Sequence, residues 1–233
     1  MNKPFKDSEV DHLLSFIGYG NISAPIGFLG MEEAGGGFEN LQNRLTFDQV
    51  EDLYHGHKKL GILKYHEGSR YIQSTWRGMC LIILHLMGRE ISRDEIRRFQ
   101  AEELGRTHSN TFLLELMPLP KPSLDAWGYS GFLPQFESKD DYYQQILPKR
   151  IQHIQSLISE QSPDIVIGYG KGYWRYYRKL FPKSKFSRNK IYEIAEGKPF
   201  VLLTHHFTAR SLNGRLPEIA QYAQDGLNAS TQH

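Results

Sequence analysis

The sequence predicts an α/β fold in three layers, in which helices cover both faces of a central, four-stranded and mainly parallel sheet. Two observations predict it. First, four apolar runs are typical of strands: residues 25–30, 111–117, 164–170 and 199–206. They lack clean polar alternation, which indicates strands covered on both faces, as in a parallel sheet. Second, helical patterns separate the runs, and this alternation favours right-handed crossovers between parallel strands.

The predicted elements follow one another in chain order. The first strand, "PIGFLG", is followed by helical patterns at residues 46–61 and 71–88. After the second strand, "TFLLELM", comes a loop at 118–138 that is long enough to be functional, and then a helical pattern at 140–162. The third strand, "DIVIGYG", precedes a helical pattern at 172–181, and "PFVLLTHH" is the last strand.

Composition narrows the class of protein. With 233 residues, of which 39% are hydrophobic and 12% aromatic, the chain fits a globular protein with a sizeable core. No repeat or linker divides it, so residues 1–233 should form a single domain. The one cysteine, Cys80, excludes an internal disulfide framework and suits a reducing compartment, and its apolar helical neighbours predict a buried thiol. No apolar run reaches the roughly 18 residues that span a bilayer and no signal-peptide pattern is present, so we expect a cytoplasmic protein.

A basic and aromatic segment runs from Lys171 to Lys190. It holds eight basic residues, six aromatic residues and no acidic one. Cations can bind phosphates and rings can stack on exposed bases, so this composition suggests a nucleic-acid surface. A solvated basic face whose rings belong to the core is the structural alternative.

The ends of the four predicted strands carry chemically distinctive residues. In open α/β sheets, ligands bind beyond the carboxyl ends of the strands. The residues at these ends are Glu32 and Glu33 with three glycines, then Glu115, then Gly168, Gly170 and Lys171, and finally His205 and His206. Their convergence at one edge of the sheet predicts a functional site there.

Taken in order, these four strand ends resemble the motifs of the uracil-DNA glycosylase superfamily, and the single-strand-selective monofunctional branch is nearest in motif shape. "GMEEAG" resembles the first motif, which places Glu32 where the family positions or activates water. In "ELMPLP", Glu115 stands where the family has an asparagine that reads the flipped base. "GYGKGYW" resembles the third-strand glycine with its helix start. "HFTARSLNG" resembles the final motif, with His206 as the catalytic histidine and a DNA-inserting loop after it.

The roles that the resemblance implies agree with the chemistry of the reaction. Cleavage of an N-glycosidic bond builds positive charge on the sugar and negative charge on the departing base. A carboxylate such as Glu32 can stabilise the sugar cation and orient water, and a donor such as His206 can stabilise the base anion at O2. Glu33 and His205 remain alternatives for these two roles.

Further residues are assigned to DNA and base contacts. A glycine run lets backbone N–H groups approach a phosphate closely. Arg210, supported by Leu212, lies where the family inserts a wedge into the duplex, and we expect Phe38 or Phe47 to stack on the extruded base. The full set of expected DNA-binding residues is Gly35, Gly36, Gly170, Lys171, Thr208, Arg210 and Leu212.

Departures from the family motifs suggest an altered substrate. Glu33, Phe207 and Thr208 stand where the family has proline, proline and serine, and Glu115 replaces the base-reading asparagine. A carboxylate accepts from the N4 amino group of cytosine, and Ala34, in place of a bulky tyrosine, leaves space beside C5. The residues therefore favour a C5-modified cytosine, such as the hydroxymethyl or glucosylated base of phage DNA, and a role in anti-phage defence.

Three other functions stay open at this stage: uracil excision in repair, a non-catalytic DNA-binding module, and an enzyme of free deoxynucleosides. The partner in the favoured hypothesis is DNA, without a membrane or an obligate protein partner. His55 and His57 in "HGHKK" lack the spacing of a zinc site. We therefore expect no metal and no cofactor.

Overall fold

The structure, a computed structural model, describes residues 3–67, 71–123 and 125–230, and its α/β class is the predicted one. Among the described residues a single mixed sheet has eight strands. The strands are β1 (Gly18–Gly20), β2 (Ile26–Gly30), β3 (Val50–Glu51), β4 (Thr111–Glu115), β5 (Ile165–Tyr169), β6 (Ser187–Arg188), β7 (Tyr192–Ala195) and β8 (Phe200–Thr204). The helices are α1 (Asp7–Ser15), α2 (Phe38–Arg44), α3 (Leu53–Lys59), α4 (Ser74–Leu86), α5 (Arg93–Glu102), α6 (Lys139–Gln161), α7 (Trp174–Tyr177) and α8 (Leu216–Ser230).

The four predicted strands form the centre of this sheet. They are β2, β4, β5 and β8, which lie side by side in the order β4-β2-β5-β8 and are parallel to one another. The predicted total of four strands is too low, because β3 and β1 extend one edge and β7 and β6 the other. β1 is antiparallel to β4, and β7 is antiparallel to both β8 and β6. These strands have two to four residues each, too few to form an apolar run.

Both faces of the central strands are buried, as their lack of polar alternation predicts. Along β2, Phe28 belongs to one hydrophobic cluster and Leu29 to the other. Side chains of α1 and α6 pack into the cluster of Leu29, and those of α4 and α8 into the cluster of Phe28. Cys80 lies in the core of α4, where burial raises the pKa of its thiol.

The helices differ from the prediction in extent and number. The pattern at 46–61 yields only α3, whose N-cap Asp52 accepts hydrogen bonds from the backbone N–H groups of Tyr54 and His55. The pattern at 172–181 is divided into α7 and a 3₁₀ turn on either side of it. Helices α1, α2, α5 and α8 were not predicted. None of the helices in the described ranges is long and apolar enough to cross a bilayer.

Candidate functional site

A cleft of about 440 Å³ lies at the carboxyl ends of the central strands. Six residues that the sequence singled out line it: Glu32, Glu33, Ala34, Gly35, Glu115 and His206. The other lining residues are His57, Ile62, Lys64, Tyr65, Gln73, Thr75, Trp76 and Tyr169. The convergence predicted at this edge of the sheet is therefore present for the ends of β2, β4 and β8, with Tyr169 contributed by β5.

The loops after β2 and β4 continue the sheet pairing into the cleft. The backbone N–H of Met117 donates to the carbonyl of Met31 at 2.7 Å, and that of Lys121 donates to the carbonyl of Glu33 at 2.9 Å. Gly35 N–H then donates to the carbonyl of Lys121 at 3.2 Å. Both acidic residues after β2 therefore stand on a hydrogen-bonded backbone. The Gly35 N–H expected at a phosphate is used within the protein, which corrects that prediction.

Glu32 forms a buried ion pair with Lys121. The Lys121 ammonium lies 2.8 Å from Glu32 Oε1, and the two side chains are 1% and 6% exposed. The Tyr143 hydroxyl donates to Glu32 Oε2 at 2.5 Å. A buried carboxylate needs a compensating charge and hydrogen bonds, and Lys121 and Tyr143 supply both. The result is a carboxylate in a fixed position at the cleft wall.

Glu33 binds a second set of partners. It accepts hydrogen bonds from the Tyr19 hydroxyl at 2.7 Å and from the Arg44 guanidinium at 2.5 Å. His57 Nε2 lies 4.0 Å from its other oxygen. Burial holds the pKa of Tyr19 well above its usual value, so its hydroxyl stays a donor. Glu33 is thus tied to a structural cation and a phenol from elements outside the central strands.

Glu115 differs from both of these acids. Its Oε2 is buried without a hydrogen-bond partner in the described residues. Burial raises the pKa of the carboxyl well above its usual value, and the charges of Glu33 and Glu32 raise it further. Arg150 donates to the backbone carbonyls of Glu115 and Leu116, at 2.8 and 3.1 Å. Glu115 therefore has a buried carboxyl oxygen open to a ligand in the cleft, in surroundings that favour the protonated form.

Gly30 allows Glu115 and Tyr169 to approach one another. It pairs with Glu115 across the β2–β4 register, and an added Cβ would meet the Glu115 carboxylate and the Tyr169 hydroxyl within 2.5 Å. Only glycine leaves room for the two polar groups at this depth. Tyr169 is not among the residues predicted for the site, although it stands directly before Gly170 at the end of a predicted strand.

His206 is held in a defined tautomer by the loop after it. The backbone N–H of Thr208 donates to His206 Nδ1 at 3.3 Å, and the Thr208 hydroxyl lies 2.8 Å from the same nitrogen. Burial lowers the pKa of His206, which favours the neutral ring. Because Nδ1 accepts, the proton of that ring is on Nε2. Thr208 therefore positions the histidine, and Phe207 anchors the loop by packing against Phe28 and Tyr169.

His205 points to a different neighbourhood. Its Nδ1 lies 2.5 Å from the Ser211 hydroxyl, and its ring packs against Trp174 at 5.6 Å. It is not among the residues that line the cleft. Of the two histidines that the sequence left open, His206 has the position for the donor role.

The outer wall of the cleft comes from residues that the sequence analysis missed. It consists of Ile62, Lys64, Tyr65, Gln73, Thr75 and Trp76, together with His57. The His57 ring stacks on Trp76 at 5.2 Å, and Tyr65 packs edge-on against the same indole at 5.5 Å. Burial lowers the pKa of His57 to about 4, so its ring is neutral. The aromatic composition near residues 54–76 is the one sequence signal for this wall.

Three expected contact residues lie elsewhere. Phe38 stacks on Phe5 at 5.0 Å, and Phe47 is buried beside Phe16, so neither ring lines the cleft. The aromatic rings that do line it are Tyr65, Trp76 and Tyr169 besides the histidines. Leu212, expected to support the wedge, is 2% exposed and packs in the core, because its 3₁₀ turn directs it inward.

The remaining expected DNA contacts have varied surroundings. Arg210 and Thr208 are exposed on the loop that follows His206. Gly36 has a φ of 110° and packs closely on the Tyr129 hydroxyl. The backbone conformation and the lack of space for a side chain therefore explain why a glycine stands here. Gly170 has a φ of 102° and precedes the exposed Lys171.

A basic depression of about 840 Å³ lies on the segment that the sequence marked as basic and aromatic. It is lined by Lys171, Gly172, Trp174, Arg175, Arg178, Arg188, Asn189 and Lys190. Arg178 and Arg188 both bind the buried Glu193, at 3.2 and 2.6 Å. Trp174 belongs to the core, and its indole N–H donates to the Thr204 carbonyl at 3.0 Å. Part of the basic segment is thus structural, and its lysines remain at the surface.

Comparisons with known proteins do not identify a relative: no protein-family model matches the chain, and no curated protein matches it. Function is therefore inferred from the geometry of the cleft.

Proposed function

We propose that the protein is a monofunctional DNA glycosylase of the uracil-DNA glycosylase superfamily, which flips a base into the cleft and hydrolyses its N-glycosidic bond. One observation carries the proposal. A carboxylate paired with a buried ammonium (Glu32), a carboxyl group whose burial favours protonation (Glu115) and an imidazole whose burial favours the neutral ring (His206) line the same cleft. Carboxyl groups in contrasting environments within one cleft are typical of acid–base assignments in catalysis. The central order β4-β2-β5-β8, with the cleft at its carboxyl ends, supports the same relationship.

In this mechanism Glu115 reads and activates the base. A neutral carboxyl group donates its O–H to N3 of cytosine and accepts from the N4 amino group, so one side chain matches both positions. When the C1′–N1 bond breaks, its electron pair moves to the base. The Glu115 proton moves to N3, so the base leaves as a neutral molecule. This protonation addresses the main difficulty of the substrate, because cytosine is a poor leaving group.

Glu32 and His206 act on the other two reacting centres. Glu32 stabilises the positive charge that develops on the sugar and orients a water molecule toward C1′, and the water oxygen forms the new bond there. The proton released from water passes to the Glu32 carboxylate and then to solvent, and Glu115, which gave its proton to the base, takes one back from solvent. His206 donates from Nε2 to the base O2, where negative charge develops. Binding and orientation of the substrate in the cleft supply the remainder of the rate enhancement.

The favoured substrate is a C5-modified cytosine, such as the hydroxymethylated or glucosylated hydroxymethylated base of phage DNA, in a role of anti-phage defence. Ordinary cytosine must be spared in any host, so the substituent has to be foreign to it. Ala34 is exposed at the cleft wall, which leaves room where a bulky residue would exclude C5 groups.

Uracil is the second candidate, and the protonation of Glu115 supports it. The neutral acid can also donate to uracil O4 and accept from N3–H. Base-edge hydrogen bonds alone therefore do not separate the two pyrimidines.

The test is release of abasic sites from a panel of single-stranded and duplex oligonucleotides. The target base is uracil, cytosine, hydroxymethylcytosine or its glucosylated form. We expect cleavage of the modified cytosines, a loss of at least about 100-fold in Glu32→Gln and Glu115→Gln, and no change in Glu196→Gln, an exposed control. Cleavage of uracil alone would restore a repair function. Tight DNA binding without cleavage of any substrate would indicate a binding module instead.

A further inference from the structure

We propose that the outer wall of the cleft is a binding subsite for a neutral, hydroxyl-bearing group of about hexose size, carried on C5 of the flipped base. This inference rests on the proposed function and names the residues that select its substrate. Trp76 is the platform of the subsite. Gln73, Thr75, Lys64 and Tyr65 are its hydrogen-bonding groups.

Size is the first argument. A cleft of about 440 Å³ lies in the range of pockets that hold a whole drug-sized ligand, which exceeds one pyrimidine ring. Inward from it, a recess of about 40 Å³ continues between Phe28, Met79 and Leu113. Such a recess holds about three water molecules. A substituent of hexose size is therefore too large for the recess, and the outer wall is the part of the lining left to contact it.

The arrangement of the rings is the second argument. One side of the Trp76 indole is covered by the stacked His57 ring, and Tyr65 supports it edge-on. His57 in turn lies 3.1 Å from a nitrogen of His66. The indole is therefore fixed in place by a packed aromatic cluster. A fixed ring binds the C–H face of a sugar at little cost in conformational entropy.

Charge is the third argument. Burial lowers the pKa of both His57 and His66, so this cluster is neutral near pH 7. Glu32 and Glu33 are already compensated by Lys121 and Arg44. An ammonium group on the substituent would find Glu32 and Glu33 already paired, and a phosphate would meet one lysine among the cleft residues, Lys64, whereas hydroxyl groups find several donors and acceptors.

The polar groups are placed to serve hydroxyls. Gln73 Oε1 caps α4 by accepting a hydrogen bond from the backbone N–H of Trp76 at 2.7 Å. This bond fixes the Gln73 amide and leaves its N–H₂ group as the donor for a ligand. Thr75 stands on the first turn of the same helix. Lys64 Nζ lies 5.0 Å from the centre of the Tyr65 ring and is exposed. The polar groups of Lys64, Tyr65, Gln73 and Thr75 thus line the same cleft as the indole.

The experiment compares three substrates that share one base edge: cytosine, hydroxymethylcytosine and glucosylated hydroxymethylcytosine in otherwise identical oligonucleotides. Trp76→Ala should raise KM for the glucosylated substrate at least tenfold, with less than a threefold change for the hydroxymethyl substrate. Thr75→Val and Lys64→Met should each raise KM for the glucosylated substrate about threefold, because each removes a polar group and keeps the packed indole. Lys58→Met, on the exposed side of α3, is the matched control and should change neither value.

Binding gives a readout that does not depend on turnover. Anisotropy of labelled single strands with Glu32→Gln protein should show at least tenfold tighter binding of the glucosylated oligonucleotide than of the cytosine one, and Trp76→Ala should remove that difference. Equal losses on all substrates would show that Trp76 stacks on the base itself and would overturn the subsite. Selective binding without abasic products would preserve the subsite and reject the glycosylase. Abasic products without selectivity for the sugar would support the glycosylase and reject the subsite.

Discussion

At the scale of single residues, three acids of one cleft are held in three different environments. Glu32 has a buried ammonium at 2.8 Å, Glu33 has a guanidinium and a phenol, and Glu115 has an oxygen with no partner in the part of the chain that the structure describes. The charges of Glu33 and Glu32 add to burial in raising the pKa of Glu115. A substitution at either of these two acids will therefore also act on Glu115.

Glu115→Gln should change how stability depends on pH. Burial raises the pKa of this carboxyl in the folded protein above its ordinary value of 4.5. Between these two pKa values the folded state binds one more proton than the unfolded chain. The associated stability is complete below the unfolded pKa and is lost as pH rises through the folded one, at about 1.4 kcal/mol per pH unit. Glutamine does not titrate, so the variant lacks this loss.

Urea unfolding of the wild type and of Glu115→Gln between pH 5 and pH 8 measures this pH dependence of stability. We expect the free energy of unfolding of the wild type to fall relative to that of the variant across this range. Parallel curves would mean that Glu115 is ionised in the folded protein and that the neutral-acid mechanism fails. Glu196→Gln, an exposed control, should follow the wild type.

At the scale of elements, the contact between α4 and the loop after β8 links the core to His206, the proposed catalytic histidine. Gly78 of α4 lies directly against Phe207, the residue that follows His206. The Phe207 ring packs on Phe28 and Tyr169. The position of His206 is thus set by how closely α4 approaches the sheet.

Gly78→Ala should destabilise the protein and lower activity together. The new methyl group would lie 2.5–2.6 Å from Cγ and Cβ of Phe207, which cannot give way without moving the loop. Overpacking of this kind costs about 1–3 kcal/mol, which exceeds the gain in helix propensity of about 1 kcal/mol. Thermal unfolding and kcat report the two effects. Gly131→Ala, whose new methyl group has open space, is the control. An equal loss of stability and activity in that variant would show that the clash with Phe207 is not the cause.

The sequence was informative where one strand alone carries the signal. The apolar runs identified β2, β4, β5 and β8, and residues directly after them, such as Glu32 and His206, do line the cleft. It was uninformative where contact depends on packing between distant elements. Trp76 enters the site from α4, and the aromatic composition near residues 54–76 does not by itself distinguish its ring from a core residue. Leu212 shows the reverse, because its position in the resembling motif suggested that it supports a wedge at Arg210, whereas its short 3₁₀ turn buries the side chain.

At the scale of the whole molecule, the basic depression lies near the loop after β8 that bears His206. Trp174 lines the depression and contacts His205, which adjoins His206 in the chain. Lys171 and Lys190 are exposed, while Arg178 and Arg188 are committed to Glu193. DNA bound at the depression would continue toward the loop that bears His206.

Lys171→Ala combined with Lys190→Ala should lower the affinity for DNA and make that affinity depend less steeply on salt concentration. Each phosphate contact that is lost lowers the slope of log K against log salt by about 0.9 for duplex DNA, so two contacts give about 1.8. Titrations between 50 and 200 mM salt measure the slope. Lys58→Ala with Lys149→Ala removes the same charge from exposed positions on α3 and α6 and should leave the slope unchanged. Identical slopes for the two pairs would show that net charge alone matters.

The backbone ladder between the loops after β2 and β4 has a consequence for the motions of the cleft. Lys121 N–H is bonded to the Glu33 carbonyl, and Gly35 N–H is bonded to the Lys121 carbonyl, so neither loop can detach from the sheet edge alone. Opening of either one breaks the hydrogen bonds of both and exposes their amides to solvent at the same time. In native-state hydrogen exchange the two amides should therefore exchange with one common protection factor. A ligand that binds only the Glu32 side of the cleft should slow exchange on the Lys121 side to the same degree.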